Sequence, residues 1–253
     1  MAVAPMGVSD GDYGIRFYPA ATSDPLWTIQ FGGYNNGAGG YQSGGSLQIR
    51  APAGMRQPAG SDRTVMVVDE NRRYAYEMWH FWRVASGRGW ADYIVRVDLT
   101  TNGIREGITG SGLPGIGGLL RYAELATPGP IQHKLWAAAH PDIVYARAVW
   151  PALRHDANGN GRLAFLNYGD VVALGLAYNF QQNPCGLSPF MQRLARALQD
   201  YGAIVQDKGG DSLGFPAEVN AVRDNIDIDY DVTMWQQFAC LKPYMVKVLN
   251  PWQ

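Results

Sequence analysis

The polar residues best suited to chemistry lie in one glycine- and proline-rich stretch, GSGLPGIGGLLRYAELATPGPIQH, from Gly110 to His133. Arg121 and Glu124 are three positions apart, so on a helical turn they share a face and can pair. A glutamate among glycines and leucines can have a raised pKa and act as a general acid, with His133 as its partner. A structural salt bridge beside a hydrogen-bonded core histidine explains the same residues, and both interpretations stay open.

A second constellation lies in the aromatic segment YEMWHFWR. On a strand, Glu77, Trp79, Phe81 and Arg83 would share one face. A carboxylate, an indole and a guanidinium on one face are typical of a sugar-binding cleft, where the apolar side of a sugar ring stacks on the indole. The alternative is one core face and one ordinary surface face, and the sequence does not choose between them because both faces carry aromatic residues.

Glycoside hydrolysis requires two carboxylates, one as proton donor and one as nucleophile or base. The acidic residues available near these motifs are Asp69, Glu77, Asp98, Glu124 and Asp207. We expect Glu124 and Glu77 to form the catalytic pair, assisted by His133. The expected substrate-binding residues are Arg121, Trp79, Arg83, Trp150 and Asp207.

Two other motifs are weak. Gly110, Gly112 and Gly115 fit the dinucleotide fingerprint G-x-G-x-x-G, but no strand–helix alternation surrounds them, so a nucleotide loop is not expected. In HDANGNGRL, Asp156, Asn158 and Asn160 occupy ligand positions of a calcium loop. The final position carries an asparagine in place of the bidentate glutamate. A polar hairpin turn is therefore the simpler interpretation, calcium remains a weak alternative, and no other cofactor is expected.

Composition limits the class of protein. The chain has 253 residues, 47% hydrophobic and only 17% charged, with a net charge of −1, so we expect a folded core and no nucleic-acid partner. No apolar run approaches the roughly 18 residues that span a bilayer, and no signal peptide is visible. Cys185 and Cys240 permit one disulfide, which would fit an oxidising compartment; two buried free thiols are the alternative.

Short β-prone runs separated by turn residues dominate the chain, including LWTIQF, RTVMVVD, ADYIVRVDL and GAIVQDKG. We predict a mainly β fold, an antiparallel β-sandwich or jelly roll forming a single domain over residues 1–253, with one or two short helices packed on it. Ser188 as N-cap, Pro189 and Gly202 delimit one helix. A single helical turn is expected around GGLLRYAEL.

Several motifs occur in order: GLPGIGGLLRYAEL, GPIQH, VWPA, ALQDYG and then Asp207 before a glycine-containing turn. Together they resemble an uncharacterised family of secreted, β-rich bacterial and fungal proteins, often found in organisms that degrade polysaccharides. The resemblance covers roughly residues 62–209 and places Arg121, Glu124, His133, Trp150 and Asp207 at matching positions. Lys134 departs from the pattern, which has a small residue there. The resemblance implies secretion or a periplasmic location and a β fold more than it implies an activity.

These observations lead to one expectation and two alternatives. We expect a secreted or periplasmic carbohydrate-active enzyme, a glycoside hydrolase acting on a polysaccharide through paired carboxylates. The first alternative is a polysaccharide lyase that uses His133, a tyrosine and Arg121. The second is a non-catalytic carbohydrate-binding protein.

Overall fold

The computed structural model describes residues 6–37, 40–104, 106–156, 163–225 and 232–249. In chain order the strands are β1 (Gly7–Ser9), β2 (Arg16–Pro19), β3 (Leu26–Asn35), β4 (Tyr41–Arg50), β5 (Val65–Val68), β6 (Tyr74–Trp79), β7 (Trp82–Ala85), β8 (Arg88–Asp98), β9 (Leu135–Ala139), β10 (Val144–Ala148), β11 (Leu166–Tyr168), β12 (Val171–Leu174), β13 (Ala203–Lys208), β14 (Leu213–Pro216) and β15 (Met245–Val248). The helices are α1 (Tyr122–Leu125), α2 (Pro189–Asp200) and α3 (Thr233–Leu241), which runs into a short 3₁₀ turn, Lys242–Tyr244. The predicted mainly β class is confirmed.

The strands form two large sheets and one small one. The seven-stranded sheet has the order β2-β5-β6-β8-β3-β4, with β7 also pairing with β8, and the six-stranded sheet has the order β1-β14-β9-β13-β12-β15. Strands β10 and β11 pair alone. Both large sheets are mixed, since β3 runs parallel to β8 and β9 runs parallel to β13. The hairpin-like spacing in the sequence predicted a mostly antiparallel sandwich and did not indicate the parallel pairs, because parallel pairing joins strands that are distant in the chain.

The two large sheets pack against each other through an apolar layer. Strand β5 is buried on both faces: Val65 and Val67 belong to a core on the outer side, whereas Met66 packs in a cluster with Trp136 of β9. Ile116, from the glycine-rich stretch, belongs to the same cluster. The glycine-rich stretch therefore runs between the two sheets.

Helix α2 begins and ends as predicted. The Ser188 hydroxyl accepts the backbone N–H of Met191 at 3.3 Å, Pro189 opens the first turn, and Gly202 follows the helix with φ +73°. Its buried side chains, such as Leu194, belong to the core on the other face of the six-stranded sheet. The single turn predicted near GGLLRYAEL is α1, whereas α3 was not predicted.

Cys185 and Cys240 form a disulfide, which settles the alternative that the sequence left open. The bond joins the segment before α2 to α3, across a sequence separation of 55. It therefore ties the start of α2 to α3, which are the only helices of more than one turn in the described ranges.

We expect the double variant Cys185→Ser/Cys240→Ser to lose about 2–4 kcal/mol of unfolding free energy, because the unfolded chain regains the freedom that a closed loop of this length removes. Urea titration followed by circular dichroism measures the change. The reduced wild-type protein should match the double variant, and equal midpoints for the oxidised wild type and the variant would contradict the expectation.

Candidate functional site

Glu77 anchors the loop that crosses between the sheets. Its side chain is fully buried, Oε2 accepts the N–H of Ile108 at 2.9 Å, and Oε1 accepts the N–H of Ile116 at 2.8 Å. Burial raises the pKa of Glu77 to about 7, and the backbone hydrogen bonds oppose that rise. The catalytic role expected of Glu77 is corrected accordingly: closed to solvent, its carboxylate holds both ends of the 108–116 loop.

Glu124 and His133 form a clasp at α1. His133 Nε2 lies 3.0 Å from Glu124 Oε1, and His133 Nδ1 lies 3.0 Å from the backbone oxygen of Lys134. Both ring nitrogens therefore face oxygen acceptors, which requires either an imidazolium or a protonated carboxyl group. Burial lowers the pKa of His133, but the hydrogen bonds to Glu124 and Lys134 outweigh it and the net shift is upward. Charged His133 paired with ionised Glu124 satisfies the geometry.

The remaining charged residues of the sequence prediction do not join Glu124 in a cleft. Arg121 reaches Glu124 through its backbone N–H, at 3.4 Å, and neither residue lines either of the two cavities described below. Arg83 lies on the outer side of the seven-stranded sheet, with its guanidinium 5.6 Å from the Trp27 ring. The strand predicted over YEMWHFWR is interrupted at His80, which has φ +52°, so the expected face of four residues is broken.

A different set of acids meets in one cavity of about 880 Å³, which we call the acidic cavity. It lies between the strand ends of the two large sheets. Its acidic lining residues are Asp62, Asp156, Asp207 and Asp211, and its one lysine is Lys208. Lys208 Nζ lies 3.1 Å from Asp156 Oδ2, so these two side chains pair at the cavity wall. Of these residues, only Asp207 was predicted to bind substrate.

A β-bulge directs Asp207 into this cavity. Val205 and Asp207 lie opposite consecutive residues of β9, Ala137 and Ala138, so Gln206 is an extra residue in β13. In a regular strand Asp207 would share the face of Val205, which belongs to the apolar core beneath α2. The bulge moves Asp207 to the face of Ala138, which lines the acidic cavity.

Gly110 lies between the two acids. A Cβ atom built on Gly110 would lie 2.8 Å from Asp207 Oδ1 and 2.9 Å from Asp156 Cβ, so both acids flank this one residue. Burial raises the pKa of Asp207 to about 7, and the nearby carboxylates of Asp156 and Asp62 add to the rise. The N–H groups of Gly110 and Lys208 act in the opposite direction. Asp207 therefore gains and loses its proton near neutral pH.

Aromatic side chains line the same cavity. Trp79 of β6 lies opposite Tyr93 of β8, and both side chains line the wall. The Trp79 ring is 40% exposed and stacks on His80 at 3.8 Å between ring centroids. Nδ1 of His80 in turn lies 2.9 Å from Asp92. The structure therefore places Trp79, a predicted sugar platform, in the same cavity as Asp207.

Tyr168 is a further residue that sequence reasoning missed. It is fully buried, and its hydroxyl has no hydrogen-bond partner among the described residues. Burial raises its pKa, and Asp156 and Asp207 are near enough to raise it further. Its hydroxyl consequently stays protonated. No local motif marked this tyrosine, since only the pairing of β11 brings it towards the acids.

Trp150 and the calcium motif do not contribute a sugar platform or a metal site to the acidic cavity among the described residues. Trp150 lines a second cavity of about 670 Å³, the apolar cavity, and not the acidic one. Asp156 pairs with Lys208, whereas Asn158 and Asn160 lie outside the described residues. Within the ranges that the structure describes, no group of three or more metal-binding side chains occurs.

The comparisons give no independent identification. Compared with known protein families, curated proteins and solved structures, the chain matches none. No helix among the described residues has the length and apolar character needed to cross a membrane. The family resemblance drawn from the motifs stays a hypothesis, and the acidic cavity is the candidate site.

We expect His133→Gln to remove a pH-dependent part of the stability. The folded-state pKa is raised for His133 and lowered for Glu124, for which hydrogen bonding to His133 outweighs the opposing effect of burial. The pair therefore contributes fully between the ordinary values of 4.5 and 6.5. The contribution is lost as the pH falls through the folded pKa of Glu124 or rises through that of His133. Urea titrations should show a loss of about 1 kcal/mol near pH 5.5 and a smaller loss in alkaline buffer.

A double-mutant cycle tests whether this loss belongs to the pair. Glu124→Gln alone should cost a similar amount, and the double variant should be little worse than either single variant. Additive losses in the double variant would show that the two side chains are not coupled.

Proposed function

We propose that the chain is a secreted or periplasmic carbohydrate-active enzyme, a glycoside hydrolase that acts on a polysaccharide in the acidic cavity. The observation that carries the proposal is Asp207, a carboxyl group with a pKa of about 7, close to Asp156, which pairs with Lys208, in a cavity lined by aromatic rings. This assignment replaces Glu124 and Glu77 as the catalytic carboxylates.

The two acids are suited to different steps because their environments differ. With a pKa of about 7, Asp207 keeps its proton below neutral pH and can donate it to the glycosidic oxygen as the bond from the anomeric carbon breaks. Asp156, which pairs with Lys208, can act as the nucleophile or as the base that activates water. The reaction requires one carboxyl group in each of these roles.

The aromatic wall supplies a sugar-binding surface. Trp79 is partly exposed and has a flat face, and Tyr93 and Tyr13 line the same cavity. Sugar rings stack their apolar C–H face on such rings, while carboxylates accept hydrogen bonds from the hydroxyl groups. The combination supports a carbohydrate over a purely apolar ligand.

The charge of the cavity favours hydrolysis over the lyase alternative. A lyase substrate carries uronate carboxylates, which require arginine or lysine side chains to neutralise them. Against four aspartates the lining offers one lysine, and that lysine is already paired with Asp156. Arg121 and His133, which the lyase interpretation assigned to catalysis, belong to the α1 clasp.

A non-catalytic carbohydrate-binding protein is the alternative from another class. Burying an ionisable carboxyl group costs free energy. A site that only binds a sugar could form the same hydrogen bonds with hydroxyl and amide groups at less cost. The raised pKa of Asp207 therefore supports catalysis over binding alone. The disulfide supports the proposed extracytoplasmic location, because such bonds persist in oxidising compartments.

We expect Asp207→Asn and Asp156→Asn each to lower kcat on a cleaved polysaccharide by about 10²–10⁴-fold, since each removes one of the two reacting groups. A panel of neutral polysaccharides, assayed for new reducing ends, identifies the substrate. Asp98→Asn and Glu124→Gln are matched controls outside the acidic cavity, and both should retain near-wild-type turnover. The proposal fails if the two cavity variants hydrolyse as fast as the controls.

We also expect activity to fall as the pH rises above about 7. Asp207 must be protonated to act as a general acid, and its folded-state pKa is raised to about 7, so deprotonation above that value removes the donor. The pH profile of kcat/KM measures the alkaline limb. An alkaline limb that stays flat to well above neutral pH would exclude Asp207 as the proton donor.

A further inference from the structure

The apolar cavity lies on the other side of the loop that Glu77 anchors. Ile108 and Gly110 of that loop line the acidic cavity, whereas Leu113, Pro114 and Ile116 line the apolar one. None of the catalytic groups proposed above lines it. At about 670 Å³, its volume lies in the range of small-molecule sites.

The walls of the apolar cavity offer flat, apolar surfaces. Trp150 and Pro151 lie on one side, and Pro114 and Ile204 also contribute. Large apolar side chains that solvent reaches line the same cavity, which is unusual for a folded protein surface. These exposed residues are Leu99 (37%), Trp150 (56%), Val248 (42%) and Leu249 (83%).

One buried polar group lines this cavity without a partner. Gln206, the extra residue of the bulge, is only 3% exposed, and its Oε1 has no hydrogen-bond partner among the described residues. Its backbone oxygen is satisfied by the N–H of Ser111 at 2.7 Å, so only the side-chain acceptor is left. A buried acceptor of this kind is costly unless a donor meets it.

The side chains of the cavity wall limit the class of ligand that could donate to Gln206 Oε1. The other polar side chains of the lining already have partners: Asp98 accepts from the Thr100 hydroxyl, the Thr101 hydroxyl donates to the Asp98 backbone oxygen, and Asn102 accepts the Ile104 N–H. A sugar, with many hydroxyl groups, would have to displace these bonds. A charged ligand is disfavoured because both charged side chains of the lining are engaged, Asp98 as described and Lys134 by donating to the Tyr201 oxygen at 2.8 Å, and burial lowers the pKa of Lys134. An aromatic ring would stack on Trp150, and one hydroxyl group would satisfy Gln206.

We propose that the apolar cavity is a binding site for an uncharged aromatic compound bearing a hydroxyl group, that is, a phenol. The ring lies between Trp150 and the proline faces, and the hydroxyl donates to Gln206 Oε1. The site is separate from the acidic cavity, so the proposal does not depend on the hydrolase assignment.

Binding of 2-naphthol, followed by its own fluorescence and by calorimetry, tests the proposal on the intact oxidised chain. The matched probe is 2-methoxynaphthalene, which has the same ring system and lacks the donor. We expect saturable, one-to-one binding of 2-naphthol that is about tenfold tighter than that of the methyl ether, the ratio expected for one buried hydrogen bond. Absence of saturable 2-naphthol binding, or equal affinity for both probes, would overturn the proposal.

Two variants test whether the probes bind in the apolar cavity. Gln206→Met keeps the side-chain volume and removes the acceptor, so the two probes should then bind with nearly equal affinity. Trp150→Ala removes a stacking face at the exposed rim and should weaken both probes by about tenfold. Trp82→Ala, an exposed tryptophan on β7 outside the lining, is the matched control and should bind like the wild type.

Near-ultraviolet circular dichroism shows whether each variant is folded. If Gln206→Met does not fold, Trp150→Ala decides the question, because its side chain is exposed and its loss leaves the core intact. A folded Trp150→Ala variant that binds 2-naphthol as tightly as the wild type would place the ligand elsewhere and refute the proposal.

Discussion

The extra residue in β13 is the constraint on which both candidate sites depend. β13 is an interior strand of its sheet, with an apolar core on one face and the facing sheet on the other. A regular strand would direct Asp207 into the apolar core, where an ionisable group is costly. With Gln206 inserted, both consecutive side chains point between the sheets, one towards each cavity. The bulge also frees a backbone oxygen for Ser111, which ties the glycine-rich loop to the strand.

Glu77 supports the same arrangement from the opposite sheet. A buried carboxylate without a cationic partner is expensive, but its oxygens accept backbone N–H groups from both ends of the loop, and those donors would otherwise be unpaired. The loop cannot move far without exposing one of these groups. Its glycines allow the close approach: at Gly115 a Cβ atom would lie 2.8 Å from Trp136 Cζ3. A rigid partition between the two cavities follows.

The few charged residues near this partition are used in two physically different ways. In the α1 clasp, both nitrogens of His133 meet oxygens, and Glu124 accepts from His133 and from a backbone N–H, so these groups have little capacity left for a ligand. At the acidic cavity, burial raises the pKa of Asp207 to about 7, and the nearby carboxylates of Asp156 and Asp62 add to the rise. Satisfied pairs stabilise a fold, whereas crowded, partly exposed acids remain able to exchange protons with a ligand.

The sequence by itself determined what local patterns can determine. Hydrophobic alternation and turn residues indicated the mainly β class, Ser188, Pro189 and Gly202 delimited α2, and the aromatic segment drew attention to Trp79, which lines the acidic cavity. The motif order also singled out Asp207, although with a binding role. These features depend on residues within a few positions of one another. Such local patterns indicate secondary structure without knowledge of the tertiary fold.

Only the tertiary structure decided which acids meet. The parallel pairing of β9 with β13, and the one-residue bulge within it, arise from contacts between segments about 70 residues apart, and no local pattern encodes them. The same long-range packing placed Glu77 under the loop and closed Glu124 into a clasp, although the sequence analysis paired them as the catalytic carboxylates. Successive side chains of a strand point to opposite faces, so one inserted residue is enough to move a side chain from the core face to the cavity face. For this reason the sequence alone could not show which acids line the cavity.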